Sequence, residues 1–106
     1  MKKQRALFLD RDGTLIRDVH YLKDPDEVEI IEGIGDALLK AANKGYYLFM
    51  HTNQSGIARG YYDWPDVYAC NIRMHHNFGW PDNLFTEVCI APVSYTHLRA
   101  HETDIN

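Results

Sequence analysis

The amino-acid sequence predicts an α/β domain built on a parallel β-sheet. Two apolar runs, Ala6–Leu9 and Tyr46–His51, are typical of strands that are buried on both faces. The segment Ile34–Lys44 between them carries apolar residues at helical spacing. A strand, a helix and a strand in this order form a right-handed crossover between parallel strands. A third apolar run, Phe85–Ala91, follows a second helical pattern, so we expect three parallel strands joined by helices.

The first strand ends in two aspartates, Asp10 and Asp12, which are followed by Gly13. Ligands of open parallel sheets bind just beyond the carboxyl ends of the strands, where Asp10 is expected. Two carboxylates this close repel each other, and a divalent cation such as Mg²⁺ would relieve the repulsion. In a functional interpretation Asp10 is a nucleophile that forms an aspartyl-phosphate, and Asp12 is an acid and then a base. The alternative is an acidic turn after a core strand.

The next segment, Arg17–Pro25, is polar and has no helical or strand period, so it is expected to be a loop that folds over the sheet edge. Its His20 and Tyr21 either contact a ligand or pack the loop down. Gly45 is expected to end the first helix in a left-handed conformation. The second strand then brings Thr52 to the same sheet edge as Asp10, where its hydroxyl could donate to a phosphoryl oxygen.

The second helix is expected to begin after Asp63, an N-cap, with Pro65 in its first turn. Apolar residues at helical spacing continue from Val67 to Phe78, and Gly79 ends the helix. This spacing places Cys70 on the buried face, so we interpret it as a core residue and not as a nucleophile.

Several smaller features are ambiguous. Gly56 and Gly60 are expected to supply turns, and Arg59 either meets a second phosphate or is solvated. His75 and His76 are neighbours on a helix and point about 100° apart, so we do not expect them to chelate one metal.

Composition limits the partners of the chain. It has 106 residues, of which 45% are hydrophobic and 25% are charged, which suits one globular domain, and its net charge is −4. An acidic chain is not expected to bind nucleic acid as its main partner. It shows no signal peptide and no apolar run long enough for a bilayer, so no membrane partner is expected. Cys70 and Cys89 have no metal or disulfide spacing, and we expect a cytoplasmic protein that is a monomer.

Two motifs resemble those of a known family. Phe8–Thr14, which reads Phe-Leu-Asp-Arg-Asp-Gly-Thr, resembles the first motif of the haloacid dehalogenase (HAD) superfamily. His51–Gly60 resembles the second motif of one branch, subfamily IIIA, which contains the histidinol-phosphate phosphatases and the heptose 1,7-bisphosphate phosphatases. The resemblance covers Ala6 to about Pro92. It implies a three-layer Rossmann-like HAD core and a Mg²⁺-dependent phosphomonoesterase that acts on a small sugar-phosphate or histidinol-phosphate.

The resemblance also implies roles for individual residues. Asp10, Asp12 and Thr52 are expected to be catalytic, and Asp10 and Asp12 to bind the metal. The expected substrate contacts come from the two motifs and from the loop after the first strand: Arg11, Asp18, Val19, His20, Tyr21, Thr52, Asn53, Gln54 and Ser55.

The sequence changes character after Pro92. Val93–Asn106 has neither helical nor strand periodicity, and it resembles the translation of a sequencing-library adapter. We therefore expect residues 1–92 to be part of a HAD-like domain and residues 93–106 to be an artefact. The family's third motif, a lysine, and its fourth motif of acidic metal ligands cannot be located. We therefore expect the sheet to be truncated after the third strand and the fragment itself to be weakly active or inactive. Ala91-Pro92-Val93 stands where many relatives have a Cys-x-His zinc loop, so no structural zinc is expected.

Two other functions remain open at this stage. A polynucleotide 3′-phosphatase has a similar second motif, although the acidic composition disfavours it. A domain that binds a phosphorylated ligand without turning it over is disfavoured by the two adjacent carboxylates, Asp10 and Asp12.

Overall fold

A computed structural model describes residues 4–93 and shows a parallel α/β fold. The sequence predicts each of its long helices and strands to within two residues. Within residues 4–93, two elements are not predicted: one four-residue helix and one 3₁₀ turn, Pro25–Glu27. In chain order the elements are β1 (Arg5–Asp10), α1 (Ile34–Asn43), β2 (Tyr46–Asn53), α2 (Ser55–Ala58), α3 (Trp64–Phe78) and β3 (Phe85–Ala91).

The three strands form one parallel sheet in the order β1-β2-β3. Asp10 at the end of β1 pairs with His51 of β2, and the pairing of β2 with β3 is irregular between Leu48 and Phe49. The parallel Rossmann-like sheet is therefore confirmed. β2 continues two residues beyond its predicted end at His51, because Thr52 and Asn53 pair with β3.

Both long helices pack on the same face of the sheet. Leu38 of α1 and Met74 of α3 belong to one buried cluster with Leu48 and Met50 of β2. Right-handed crossovers that step in one direction along a sheet place their helices on one side, and β1-β2-β3 takes two such steps. Of the three layers implied by the resemblance, residues 4–93 therefore form two.

The other face of the sheet carries exposed apolar side chains, which no helix of residues 4–93 covers. Phe8 is 78% exposed and Tyr47 is 44% exposed. Phe8 stacks on Phe49 of the neighbouring strand, with ring centroids 5.0 Å apart. We call this surface the open face.

The helix ends confirm the capping predictions. Gly45 has φ 92° directly after the end of α1. Asp63 caps α3 through a reciprocal capping box with Asp66, with a proline in the first turn. Gly79 ends α3 in the left-handed conformation, with φ 66°. Each of these glycines adopts a backbone conformation that costs energy in residues with a side chain.

The loop after β1 is anchored at both ends. Ile16 forms an antiparallel bridge with Ile30, and the Arg17 N–H donates to the Glu29 carbonyl at 2.7 Å. Its apolar residues enter the core, with Ile16 fully buried and Leu22 3% exposed. The predicted loop therefore contributes to the core as well as to the sheet edge.

The remaining predictions concern single residues. Cys70 is fully buried, as expected, and burial raises the pKa of its thiol, which keeps it protonated. His75 packs edge-on against Trp80 and Phe85, and desolvation lowers its pKa. No helix within residues 4–93 has the length and hydrophobicity needed to cross a bilayer. Apart from Val93, the predicted artefactual tail lies outside the described residues.

Candidate functional site

At the carboxyl end of β1, the side chains of consecutive residues lie on opposite faces of the sheet, one exposed and the other buried. The Arg11 N–H donates to the His51 carbonyl at 3.2 Å, so the parallel pairing continues one residue beyond β1. Successive side chains of an extended segment point to opposite faces. Asp10 accordingly lies on the open face with 70% of its side chain exposed, whereas Arg11 is 1% exposed on the helical side. The nucleophile predicted from the sequence is thus the accessible member of the pair.

Asp12 is neutralised by its neighbour in the sequence. Arg11 donates from Nη2 to Asp12 Oδ1 at 3.1 Å and from Nε to Asp12 Oδ2 at 3.2 Å. The third guanidinium nitrogen, Nη1, donates to Asn71 Oδ1 on α3 at 3.0 Å. The metal ion expected to relieve the repulsion between Asp10 and Asp12 stays a prediction. In the structure the buried Arg11 guanidinium balances the charge of Asp12. The predicted contact of Arg11 with substrate stays a prediction.

Two further donors reach the same carboxylate. Thr52 and Gln54 are 2% and 3% exposed. The Thr52 hydroxyl donates to Asp12 Oδ2 at 3.1 Å, and Gln54 Nε2 donates to Asp12 Oδ2 at 3.2 Å and to Thr52 Oγ1 at 2.6 Å. The sequence predicts that the Thr52 hydroxyl donates to a phosphoryl oxygen, whereas in the structure it donates to Asp12. Four donors in all reach the Asp12 carboxylate, two of them from Arg11.

Two members of this group were not identified from the sequence. Asn71 lies on the buried stripe of α3, where a polar residue among apolar neighbours was an available signal. Tyr62 gave no such signal, because it lies in the connection between α2 and α3, where the sequence has no helical or strand periodicity. Its hydroxyl donates to Gln54 Oε1. We call the six residues the Asp12 cluster: Arg11, Asp12, Thr52, Gln54, Tyr62 and Asn71.

Gly56 makes room for Tyr62. It lies within α2 and is buried, so the prediction of a turn at Gly56 is wrong, whereas Gly60 does form one, with φ 76°. A Cβ at position 56 would lie 2.2 Å from Tyr62 Cε2. The ring of Tyr62 therefore occupies the space that any larger residue at Gly56 would need. Burial raises the pKa of Tyr62, an effect that Arg11 partly offsets.

Substituting alanine for Gly56 is expected to displace the Tyr62 ring. Overpacking of this kind costs typically about 1–3 kcal/mol of folding free energy. Urea unfolding followed by circular dichroism would measure the loss. In a Tyr62→Ala background the same substitution should cost much less, because the clashing ring is gone. An equal loss in both backgrounds would show that the contact is not responsible.

The loop after β1 encloses a cavity of about 170 Å³ against the start of α2. Tyr21 has φ 52°, a strained conformation for a residue with a side chain, and packs edge-on against His20 and Tyr61. A second cavity of about 190 Å³ contains Asp10, Thr52 and Asn53. The structure brings all the sequence-predicted site residues to these two cavities. The first is lined by Arg11, Asp12, Asp18, Val19, His20, Tyr21, Leu22, Asn53, Gln54, Ser55 and Tyr62.

The residues at this edge fit a weakly held Mg²⁺ ion. Within residues 4–93, no group of three or more His, Cys, Asp and Glu side chains could hold a metal. Mg²⁺ keeps several waters, however, and usually binds through one or two carboxylates plus substrate phosphates. The exposed Asp10 carboxylate supplies one hard ligand. The Asp12 carboxylate is held by its cluster, and the metal contact expected at Asp12 stays a prediction.

Similar proteins are heptose-bisphosphate phosphatases. The chain is 54% identical over 59 residues to the D-glycero-beta-D-manno-heptose-1,7-bisphosphate 7-phosphatase of Haemophilus ducreyi, which covers 56% of this chain and 32% of that protein. It is 44% identical over 90 residues to the D-glycero-alpha-D-manno-heptose-1,7-bisphosphate 7-phosphatase of Campylobacter jejuni, which covers 85% of this chain and 52% of that protein. No protein-family model matches the chain.

Solved structures of heptose-bisphosphate phosphatases also align with this chain. The D,D-heptose 1,7-bisphosphate phosphatase of B. bronchiseptica, complexed with magnesium and phosphate, aligns with a TM-score of 0.77 at 27% identity. The alignment covers 87% of this chain and 52% of that one. The corresponding enzyme of Burkholderia thailandensis aligns with a TM-score of 0.62 at 28% identity, over 82% and 52% of the two chains. The chain thus spans about a third to a half of the length of the proteins it matches.

Proposed function

We propose that the chain belongs to the heptose-bisphosphate phosphatases of the haloacid dehalogenase superfamily and is part of a longer phosphomonoesterase, here called the full-length parent. The observation that carries the proposal is the exposed Asp10 carboxylate at the end of β1, beside a cavity that Asp12 also lines. An exposed nucleophile beside a fixed acid is the arrangement that phosphoryl transfer through an aspartate needs.

In the proposed reaction, an Asp10 carboxylate oxygen attacks the phosphorus of the substrate. The phosphorus–oxygen bond to the sugar breaks, and the leaving oxygen takes a proton from Asp12. Asp12 then takes a proton from water as that water attacks the aspartyl-phosphate, which releases inorganic phosphate and restores Asp10. General acid–base catalysis of this kind contributes typically about 10²-fold to 10⁴-fold to the rate.

The Asp12 cluster supports the second half of this cycle. Arg11, Thr52 and Gln54 donate to the Asp12 carboxylate, and these contacts hold in place the oxygens that accept a proton from water. Asp10 and Asp12 would hold the Mg²⁺ ion, which would stabilise the negative charge of the phosphoryl group.

We propose a heptose bisphosphate as the substrate, because the similar proteins of Haemophilus ducreyi and Campylobacter jejuni are named for it. The loop cavity supports a polar, multiply hydroxylated ligand, since Asp18, His20, Asn53 and Ser55 offer it charged and hydrogen-bonding groups. Histidinol-phosphate is the alternative small substrate.

The test is phosphate release by the full-length parent with Mg²⁺ present. D-glycero-D-manno-heptose 1,7-bisphosphate, histidinol-phosphate and a 3′-phosphorylated oligonucleotide are compared at equal concentrations. We expect the heptose bisphosphate to give the highest kcat/KM, and acid quenching to trap a phospho-enzyme. A preference for the oligonucleotide that weakens steeply with salt would favour the polynucleotide 3′-phosphatase instead. Binding of all phosphates without release would favour a non-catalytic domain.

A further inference from the structure

Tyr62 lies at the far end of a chain of hydrogen bonds that leads to Asp12. Its hydroxyl donates to Gln54 Oε1, and Gln54 Nε2 donates to both Asp12 and Thr52. Gln54 is 3% exposed, so bulk solvent has little access to replace a missing partner. Each polar end of the Gln54 amide therefore has its partner inside the protein.

The orientation of the Gln54 amide matters because its two ends are chemically opposite. The nitrogen end donates, and the oxygen end only accepts. With the amide reversed, the Gln54 oxygen would face the Asp12 carboxylate and the nitrogen would face the Tyr62 oxygen. The first contact repels, because both groups are acceptors. The Asp12 carboxylate, which only accepts, therefore selects the orientation in which the nitrogen faces Asp12 and Thr52. The Tyr62 hydroxyl then donates to the oxygen end and holds the amide in that position.

The Tyr62 ring packs closely over Gly56, so its position does not depend on the hydrogen bond of the hydroxyl alone. The ring lies over Gly56, where a Cβ would come within 2.4 Å of Cζ and 2.8 Å of the hydroxyl oxygen. Burial raises the pKa of Tyr62, so the hydroxyl keeps its proton at neutral pH and acts as a donor. A phenylalanine at this position would keep the ring contact and lose only the hydrogen bond.

We propose that Tyr62 is a positioning residue of the site, which acts through Gln54 to orient the Asp12 carboxylate. The inference rests on the proposed function, in which Asp12 is the acid and base. Tyr62 contacts neither Asp10 nor Asp12 through a hydrogen bond in the described residues. Among the hydrogen bonds of the described residues, the Gln54 amide is the link between Tyr62 and Asp12.

The first test is a double-mutant cycle in the full-length parent. Tyr62→Phe is expected to lower kcat about 3-fold to 10-fold, as loss of one hydrogen bond would, and to leave KM within about 2-fold. In a Gln54→Ala background the same substitution should change kcat less than about 2-fold, because the connecting amide is gone. Equal losses in both backgrounds, or no loss in either, would overturn the inference. Tyr68→Phe is the matched control, since Tyr68 is half-exposed on α3 and outside the Asp12 cluster.

The second test does not depend on activity. The side-chain amide protons of Gln54 are observed by NMR in the full-length parent with labelled glutamine. Tyr62→Phe should shift the Gln54 resonances and speed their exchange with water, whereas Tyr68→Phe should not. Unchanged Gln54 signals in Tyr62→Phe would contradict the inference. If the unmodified parent releases no phosphate, the proposed function fails, and the Gln54 signals still decide whether Tyr62 orients the amide.

Discussion

Replacing Asp10 with asparagine is expected to lower kcat of the full-length parent by a factor on the order of 10⁴ to 10⁶. An amide oxygen is a poor nucleophile, so the aspartyl-phosphate cannot form. Phosphate release under saturating substrate measures the loss, and acid quenching should trap no phospho-enzyme. The fold should not change, because Asp10 is 70% exposed and its contact with His51 is long, at 3.7 Å.

Two comparisons make the Asp10 result specific. Asp12→Asn should lower kcat less, by about 10²-fold to 10⁴-fold, and rapid quenching should show that both formation and hydrolysis of the phospho-enzyme are slower. Asp82→Asn, in the exposed loop before β3, should retain full activity. An Asp10→Asn enzyme that keeps more than a tenth of the turnover would exclude the aspartyl-phosphate mechanism.

Replacing Arg11 with alanine is expected to cost about 3–5 kcal/mol of folding free energy, the range measured when one partner of a buried ion pair is removed. Arg11 is 1% exposed, and its loss leaves Asp12 without a counter-charge and Asn71 Oδ1 without its donor. For a domain of this size the melting temperature should fall by more than about 10 °C. Urea unfolding of the 106-residue chain measures the change in free energy.

Arg17→Ala is the control for Arg11→Ala. Arg17 also pairs with a carboxylate, Glu29 at 3.0 Å, but both side chains are about two-thirds exposed. Exposed pairs contribute at most about 1 kcal/mol. If the two substitutions cost the same small amount, Arg11 is not the buried counter-charge that the structure indicates.

The sheet could be predicted from the sequence because its signals are local. The apolar run of β3, the helix cap at Asp63 and the glycine at position 79 each depend on residues within a few positions of one another. The end of β2 was less visible. Thr52 and Asn53 are polar, and only their pairing with β3 keeps them extended.

The sequence predicts the main residues of the candidate site but not the side-chain contacts between them. Asp10, Asp12 and Thr52 follow from motifs that end adjacent strands. The contact of Arg11 with Asn71 joins residues 60 positions apart and depends on how α3 packs under the sheet edge. Gly56 was assigned to a turn, because the alternative reason for a glycine, the Tyr62 ring over its Cα, exists only in three dimensions.

The order of the strands has a consequence for synthesis of the protein. Within residues 4–93, each strand pairs with the strand that precedes or follows it in the sequence. Domains fold as the chain leaves the ribosome, with the N-terminal part first. The β1-α1-β2 unit can therefore close before β3 is translated, and β3 then adds to an existing edge. We expect the three strands to assemble in the order in which they are made, while Phe8 and Tyr47 on the open face stay exposed during this assembly.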